Sequence, residues 1–234
     1  MKKLLAVLIA LGVIALMAWG YYQAIYVAPT EATMGDLQRI FYYHVPHGIL
    51  CYLFFTINVV ASLIYLAKRR SNPVLAQTAD AWAVSAAEIG ILYCTIVLIT
   101  GPMWAKPVWG IWWTWDPRLT TTLVLWLIYV SYLLVRRFAA NAEMKTLAAV
   151  LAIFGSIDMP INYLANRIWR TQHPAPVIFG DADSGMAPSI AAALGWNVLA
   201  WAVWGLAILA IRVAVERRQQ QIDAEAAREA LAAD

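Results

Sequence analysis

Five of the twelve tryptophans lie between Trp104 and Thr120, in the sequence WAKPVWGIWWTWDPRLT. Indole offers a wide flat face, loses little side-chain entropy on ordering, and is favoured where hydrocarbon meets water. An ordinary aromatic belt spreads such residues over both interfaces and many helix ends. Because this segment concentrates them beside Lys106, Asp116 and Arg118, it is typical of a platform for a large, flat, amphiphilic ligand.

The three histidines favour haem as that ligand. His44 and His47 occur in FYYHVPHGIL, and His173 occurs in WRTQHPAP. Two neutral imidazoles on opposite sides of a planar macrocycle fill both axial positions of haem iron. Pro46 favours the start of a helix, so we expect His44 in the flexible approach to that helix and take it as the better ligand of the pair. His47 remains a substitute ligand or a hydrogen-bond donor behind it, and His173 has no competitor in its loop.

The charged residues of the tryptophan segment suit the haem propionates. Arg118 and Lys106 flank the tryptophans, and cationic groups bind carboxylates through charge-assisted hydrogen bonds. An ionised carboxylate only accepts hydrogen bonds. We therefore interpret Asp116 mainly as an organiser of the loop, paired with Arg118 or accepting backbone N–H groups.

Other chemistries find little support in the sequence. Cys51 and Cys94 lie inside apolar segments and in no CxxC or CxxCH pattern, which predicts packing roles and excludes covalently attached haem. No cysteine or carboxylate is spaced with the histidines as in known zinc sites. The sequence also has no nucleophile with its base, phosphate loop or catalytic carboxylate pair, so we do not predict an enzyme.

The composition predicts an all-α integral membrane bundle. The chain of 234 residues is 62% hydrophobic and 13% charged, with a mean hydropathy of +0.65, and backbone groups in lipid must be satisfied within each crossing. Six apolar segments are long enough to cross the hydrocarbon core. They are Leu4 to Val27, Gly48 to Ala67, Ala81 to Thr100, Thr120 to Val135, Leu147 to Leu164, and Ile190 to Val215.

The positive charges predict the orientation of this bundle. Twelve of the seventeen Lys and Arg residues fall in the two termini and in the connections on their side, and short cytoplasmic loops carry such an excess. Both termini are therefore predicted to be cytoplasmic. The outer side then carries three loops, 28–47, 101–119 and 165–188, which hold all the histidines and the tryptophan segment. The net charge of +3 reflects these flanking residues and gives no reason to invoke nucleic acid.

We expect a single domain, residues 1–234, without internal repeats. Lys2 and Lys3 precede an apolar run longer than a signal peptide's usual core, which favours an uncleaved anchor. The polar tail, 216–234, is predicted to be a solvated helical extension of the last span rather than a docking surface.

Two spans contain polar residues. Glu88 is expected to face the protein interior and to find a partner there. Asp158, Pro160 and Asn162 interrupt the fifth span within its last two turns, near the outer interface, where we expect a local kink.

The run WGIWWTWDPRLT resembles the tryptophan-rich WWD signature of the haem-handling proteins of cytochrome c maturation. The six spans, the HVP at His44 and the later His173 resemble the short CcmC-type members of this family over almost the whole chain. By this resemblance His44 and His173 are the axial ligands of haem iron. The platform implied by the match consists of Trp109, Trp112, Trp113, Trp115, Asp116 and Arg118, to which the position in the same loop adds Trp104 and Lys106.

The resemblance also implies a function and partners. CcmC-type proteins hold non-covalent, b-type haem as transient cargo at the periplasmic face of the bacterial inner membrane. They present it to the haem chaperone CcmE, together with the ABC transporter subunits CcmA and CcmB and the small CcmD. Two other classes stay open from the residues alone. An electron-carrying b-type cytochrome usually places histidines at mid-membrane, and a permease would use Glu88 and Asp158 but shows no broken-helix repeat pair.

Overall fold

The computed structural model describes residues 2–138, 142–173 and 186–233. Six helical segments are long and apolar enough to cross a membrane, which confirms the predicted six-span bundle. The helices are α1 (Lys2–Tyr22), α2 (Phe41–Lys68), α3 (Pro73–Trp109), α4 (Pro117–Phe138), α5 (Ala142–Gly155), α6 (Asp158–Ile168) and α7 (Pro188–Ala233). A π-helical turn, Gln23–Val27, continues α1, and a 3-10 helix, Asp36–Ile40, precedes α2.

The packing of α2 against α3 forms the centre of the bundle. A tight turn joins them, in which the Asn72 side chain accepts the Leu75 N–H at 3.1 Å and Pro73 occupies the first helical position. A Cβ at Gly90 would lie 2.5 Å from the Phe55 ring, so only glycine allows this approach of the two helices. The core contains mainly aromatic and small residues from α2, α3, α4, α5 and α7.

Helices α2 and α3 extend furthest beyond the outer ends that the sequence predicts. We define the outer end as the end of the bundle that carries His44, and the inner end as the opposite one. Helix α2 begins at Phe41 and includes Pro46, so the prediction that His44 lies in a flexible approach is wrong. Helix α3 continues through Pro102 and Pro107 to Trp109. The predicted loop 101–119 is therefore irregular only at 110–116, because backbone groups near lipid are satisfied best by continuing the helix.

The fifth span is divided into two helices. Helix α5 ends at Gly155 and α6 begins at Asp158, with a turn between them, so the expected interruption is a break in the helix. Since α6 continues to Ile168, Asp158 lies ten residues, or about 15 Å, below its outer end. This position is deeper than the predicted two turns.

The outer connection before α2 is fixed by two charged side chains. Arg39 donates from Nη1 to the Ala24 carbonyl at 2.7 Å, across the connection. Glu31 Oε2 accepts the Met34 N–H at 2.5 Å, and this hydrogen bond lowers the pKa of the exposed carboxyl. Both contacts fix the path of the chain into α2.

The inner end contains a charge cluster, which we define as Asp80, Arg136, Lys145, Glu216 and Gln220. Asp80 is only 2% exposed and forms a two-pronged ion pair with Arg136. Lys145 Nζ lies 3.2 Å from Asp80 Oδ2, and Gln220 donates to the same oxygen at 3.0 Å. Gln220 belongs to the tail, which is helical to Ala233 as predicted. The cluster thus connects α3, α4, α5 and α7.

Glu88 has the partner that the sequence leads us to expect. Its two carboxylate oxygens accept hydrogen bonds from Arg212 of α7, at 2.6 Å from Nε and 2.8 Å from Nη2. This geometry is the bidentate form that arginine makes with carboxylates. Glu88 therefore links α3 to α7.

Candidate functional site

His44 lies in the second turn of α2, half-buried against the outer part of α3. Its Nδ1 is 2.8 Å from Thr100 Oγ1, and its ring meets Trp104 edge-to-face at a centroid distance of 5.9 Å. A Cβ at Gly101 would lie 3.4 Å from His44 Cε1, so the ring is packed closely on the α3 backbone. Thr100, Gly101 and Trp104 therefore hold the imidazole in one orientation.

The Thr100 contact also determines the tautomer of His44. The Thr100 hydroxyl donates its only proton to the Ile96 carbonyl at 2.7 Å, so its oxygen accepts from His44 Nδ1–H. In the neutral ring, Nε2 then carries the lone pair. A hydrogen bond that orients an imidazole and leaves the other nitrogen unprotonated is the usual support of a metal-binding histidine.

The tryptophans occupy two kinds of position. Trp104 and Trp109 lie on the last turns of α3, whereas Trp112, Trp113 and Trp115 lie in the linker 110–116. The linker begins at Gly110, whose φ of +79° is the left-handed conformation that ends a helix and favours glycine. Gly110 thus allows the chain to turn from α3 into the linker.

Exposure further divides these indoles. Trp112 is 58% exposed and Trp115 is 75% exposed, whereas Trp104, Trp109 and Trp113 are half-buried. Trp113 and Trp115 meet edge-to-face at 5.7 Å. The Nε1 atoms of Trp104 and Trp113 are buried and have no hydrogen-bond partner within the described part of the chain. Buried donors are normally satisfied, so these two N–H groups are suited to a ligand that brings acceptors.

Asp116 joins the linker to the loop that carries His173. Its Oδ1 accepts the Leu119 N–H at 3.0 Å, which caps the N-terminus of α4. Its Oδ2 accepts from Thr171 Oγ1 at 3.1 Å and from the Gln172 N–H at 3.3 Å. The prediction that Asp116 organises the loop by accepting backbone N–H groups is confirmed. Its partners on the other loop were not predicted.

The two predicted cations differ in their contacts. Arg118 does not pair with Asp116; its Nη1 donates to the Asn162 carbonyl of α6 at 2.5 Å. Lys106 is exposed, and its Nζ donates to the Gly110 carbonyl at 2.8 Å, which helps to close the end of α3. Arg118 is therefore the more firmly held of the two.

His173 follows α6 and is half-buried. Its Nδ1 lies 3.1 Å from Asn166 Nδ2, and its backbone N–H donates to Thr171 Oγ1 at 2.9 Å. With the amide nitrogen facing the ring, Nδ1 accepts and Nε2 carries the proton. Rotating the Asn166 amide by 180° presents its oxygen instead, and Nε2 then carries the lone pair needed to bind a metal.

His47 has a different environment from the other two histidines. It is 1% exposed, with Tyr93 and Trp201 at centroid distances of 4.8 and 4.4 Å. Its Nδ1 donates to the Tyr43 carbonyl at 2.6 Å, and its Nε2 has no hydrogen-bond partner within the described residues. His47 thus lies within the aromatic core rather than beside the tryptophan linker.

The structure brings the predicted residues together at the outer end. His44 contacts Trp104, and Asp116 links the tryptophan linker to the residues just before His173. Two cavities, of about 400 and 550 Å³, are lined by inner residues such as Arg69 and Glu216, and neither includes a predicted site residue.

Sequence reasoning missed Thr100, Asn166 and Thr171. No pattern distinguishes Thr100, because a threonine in a span commonly bonds its own helix. Asn162 and Asn166 lie four residues apart on α6, and two amides on one face of a span are unusual enough to have suggested a polar partner.

Comparison with known proteins gives consistent matches. The model of the family described as Heme exporter protein C matches residues 1–228. Heme exporter protein C of Rhodobacter capsulatus is 31% identical over 98% of this chain and 93% of its own length. The Escherichia coli K12 protein of the same name is 30% identical, over 92% of this chain and 82% of its own. A putative cytochrome c biosynthesis ccmC-like mitochondrial protein of Marchantia polymorpha is 33% identical, over 68% of this chain and 64% of its own length.

Proposed function

The chain belongs to the heme exporter protein C family, and we propose that it binds haem at its outer end and delivers it to the chaperone CcmE. Family membership assigns the chain a role in haem export for cytochrome c biogenesis, as a multi-pass membrane protein. The finer proposal concerns the haem ligands, the platform and the recipient. Haem is the cargo of the protein, so the site must bind it firmly and also release it.

The observation that carries the proposal is the hydrogen bond between His44 and Thr100. It leaves His44 Nε2 with a lone pair at a half-buried position beside Trp104. We propose His44 and His173 as the two axial ligands of haem iron. Because a bis-histidine site saturates iron without covalent attachment, haem stays b-type and exchangeable.

The remaining site residues divide the binding of the porphyrin between them. The half-buried indoles of Trp104, Trp109 and Trp113 contact the macrocycle, and the N–H groups of Trp104 and Trp113 have no acceptor among the described residues. Arg118 and Lys106 attract the propionates. Asp116 contributes by joining the linker to the His173 loop. The exposed Trp112 and Trp115 provide the surface on which CcmE docks.

We propose that the protein lies in the bacterial inner membrane with its haem site facing the periplasm. The positive charges around the inner end support this orientation. The ABC subunits CcmA and CcmB, the small CcmD and membrane lipid complete the proposed set of partners. We assign no catalytic residue, because covalent attachment of haem belongs to the chaperone.

The absorption spectrum of the detergent-purified protein tests the ligands. We expect a six-coordinate, low-spin haem spectrum for the wild type. His44→Ala and His173→Ala should each convert it to a five-coordinate or high-spin form, because one axial ligand is lost. His47→Gln is the matched control and should keep the low-spin spectrum. Wild-type protein without haem after reconstitution would refute the proposal. Loss of the low-spin spectrum in His47→Gln but not in His44→Ala would assign the iron ligand of α2 to His47 instead of His44.

Transfer to CcmE tests the exposed tryptophans. Trp112→Ala with Trp115→Ala should slow transfer of bound haem to added CcmE while the low-spin spectrum persists, because the docking surface is lost. Trp82→Ala removes an indole that is 41% exposed, in the inner half of α3, and serves as the control. Equal rates of haem transfer by the wild type, the double variant and the control variant would contradict the docking role.

A further inference from the structure

We propose that Asn162 of α6 is a positioning residue that fixes Arg118 for a propionate of the bound haem. This inference rests on the proposed function and adds the residue that orients the Arg118 guanidinium. Asn162 is 2% exposed and lies one helical turn below Asn166, which contacts His173. It therefore occupies the layer of the bundle directly beneath the proposed haem site.

The Asn162 amide binds the first turn of α4. Its Nδ2 lies 3.0 Å from the Arg118 carbonyl, 2.7 Å from Thr121 Oγ1 and 2.9 Å from Thr122 Oγ1. Its Oδ1 accepts a hydrogen bond from the Tyr52 hydroxyl of α2. A primary amide has two donor hydrogens and one acceptor oxygen, so both functions of this side chain are in use. Asn162 consequently joins α2, α4 and α6.

The contact with Arg118 runs in both directions. The Arg118 carbonyl faces the Asn162 side chain, and the Arg118 guanidinium donates from Nη1 to the Asn162 carbonyl at 2.5 Å. The backbone and the head group of one arginine are thus attached to the same residue. This double attachment restricts the long side chain and reduces the entropy that a propionate contact would otherwise lose.

The lack of a carboxylate partner distinguishes Arg118 from the other half-buried arginines of the described residues. Arg39, Arg136 and Arg212 each pair with a carboxylate. Arg118 is half-buried and has no carboxylate partner within residues 2–138, 142–173 and 186–233. A guanidinium has five donors, and the hydrogen bond that this one makes within the described residues is to a neutral carbonyl. An arginine held in this way is suited to an incoming anion.

The chemistry of the position favours asparagine over its isostere. Aspartate at 162 would be unable to donate to the Arg118 carbonyl and to the two threonine hydroxyls. Tyr52 lies two turns along α2 from His44. The network therefore sets the guanidinium in a fixed relation to the helix that carries the proposed iron ligand.

The test compares haem with its dimethyl ester, in which both propionates are uncharged. For each full-length protein in detergent, the affinity ratio of haem to the ester reports the propionate contact alone. We expect Arg118→Gln to lower this ratio about 10- to 100-fold, as for loss of a hydrogen bond to a charged group. Asn162→Ala should lower it about tenfold, and the double variant should lose no more than Arg118→Gln.

Asn197→Ala is the matched control. Asn197 is equally buried and donates to Gly20 in α1, on the α7 side of the bundle. Its loss should reduce stability and leave the ratio unchanged. If Asn162→Ala fails to fold, Tyr52→Phe removes only the hydroxyl that donates to Asn162 and should lower the ratio a few-fold.

The outcomes separate this inference from the proposed function. A wild type that binds neither porphyrin refutes the function itself. A wild type that prefers haem, with a ratio unchanged in Asn162→Ala and in Tyr52→Phe, overturns only the positioning role. Equal weakening of haem and ester in Asn162→Ala also overturns it, because a merely structural residue would act on both.

Discussion

The two ends of the bundle use similar polar groups in opposite ways. At the inner end, Asp80 is surrounded by Arg136, Lys145 and Gln220, and its carboxylate is almost fully buried. At the outer end, Arg118 has no carboxylate partner among the described residues, and two buried indole N–H groups have no acceptor there. The buried charges of the inner cluster satisfy one another, whereas Arg118 and the two outer indoles retain donors with no acceptor among the described residues.

This difference separates structural polar groups from groups that await a ligand. A buried ion pair offsets its desolvation only when its partners are present within the protein. Buried donors left without acceptors cost stability, and a protein tolerates that cost most readily where a ligand supplies the acceptors. The inner end carries more positive charges than the outer end, but their number is not what separates these two groups of residues. The distinction is whether their hydrogen-bonding capacity is already filled.

The largest expected effect is at the inner end, from Asp80→Ala. Removing this carboxylate leaves Arg136 buried without its main partner, which should lower the free energy of unfolding by about 3–5 kcal/mol. Denaturant titration of the purified protein measures the loss. The haem spectrum of the folded fraction should stay low-spin, and a changed spectrum would contradict the separation of the two ends.

Thr100→Val should have the next largest effect, on haem rather than on folding. It removes the acceptor of His44 Nδ1–H while preserving shape, and loss of such a support typically weakens metal binding about 10- to 100-fold. Haem titration followed by absorbance measures the affinity. Thr78→Val, which removes an exposed threonine whose hydroxyl bonds only its own helix, is the control. Equal affinity in both variants would exclude the proposed role of Thr100.

Asp116→Ala should have the smallest effect on stability. Loss of the α4 cap should cost about 1 kcal/mol, far less than loss of the Asp80 carboxylate. The same change releases the linker from Thr171 and Gln172, so we expect a partial low-spin to high-spin shift in the haem spectrum. Thermal unfolding and absorbance together test this pair of effects. A destabilisation as large as that of Asp80→Ala, with an unchanged spectrum, would make Asp116 purely structural.

Much of the fold was predictable because it depends on local properties of the sequence. The six apolar segments are set by composition and length, and all six appear as membrane-length helices. The helix ends are less predictable: Pro46 favours a helix start near Gly48, whereas α2 begins at Phe41 and α3 continues through Pro102 and Pro107. In a span, neighbouring contacts and the absence of water let a helix continue through proline.

The site was predictable in its residue types and unpredictable in its contacts. Histidine and tryptophan are visible in the sequence because their chemistry is distinctive. Asn162, in contrast, was interpreted only as part of a kink, since its partners Tyr52 and Arg118 are 110 and 44 residues away. Contacts over such separations depend on how the helices pack, and no local pattern encodes them.

The break between α5 and α6 has a mechanical consequence. A continuous helix transmits a displacement along its whole length, whereas the turn at Ser156 and Ile157 divides the fifth span into two shorter helices. His44 belongs to α2, a continuous helix of 28 residues, whereas His173 follows α6, a helix of only 11 residues. If both histidines bind iron as proposed, haem can be released by a movement of α6 and His173 while α2 and His44 stay in place.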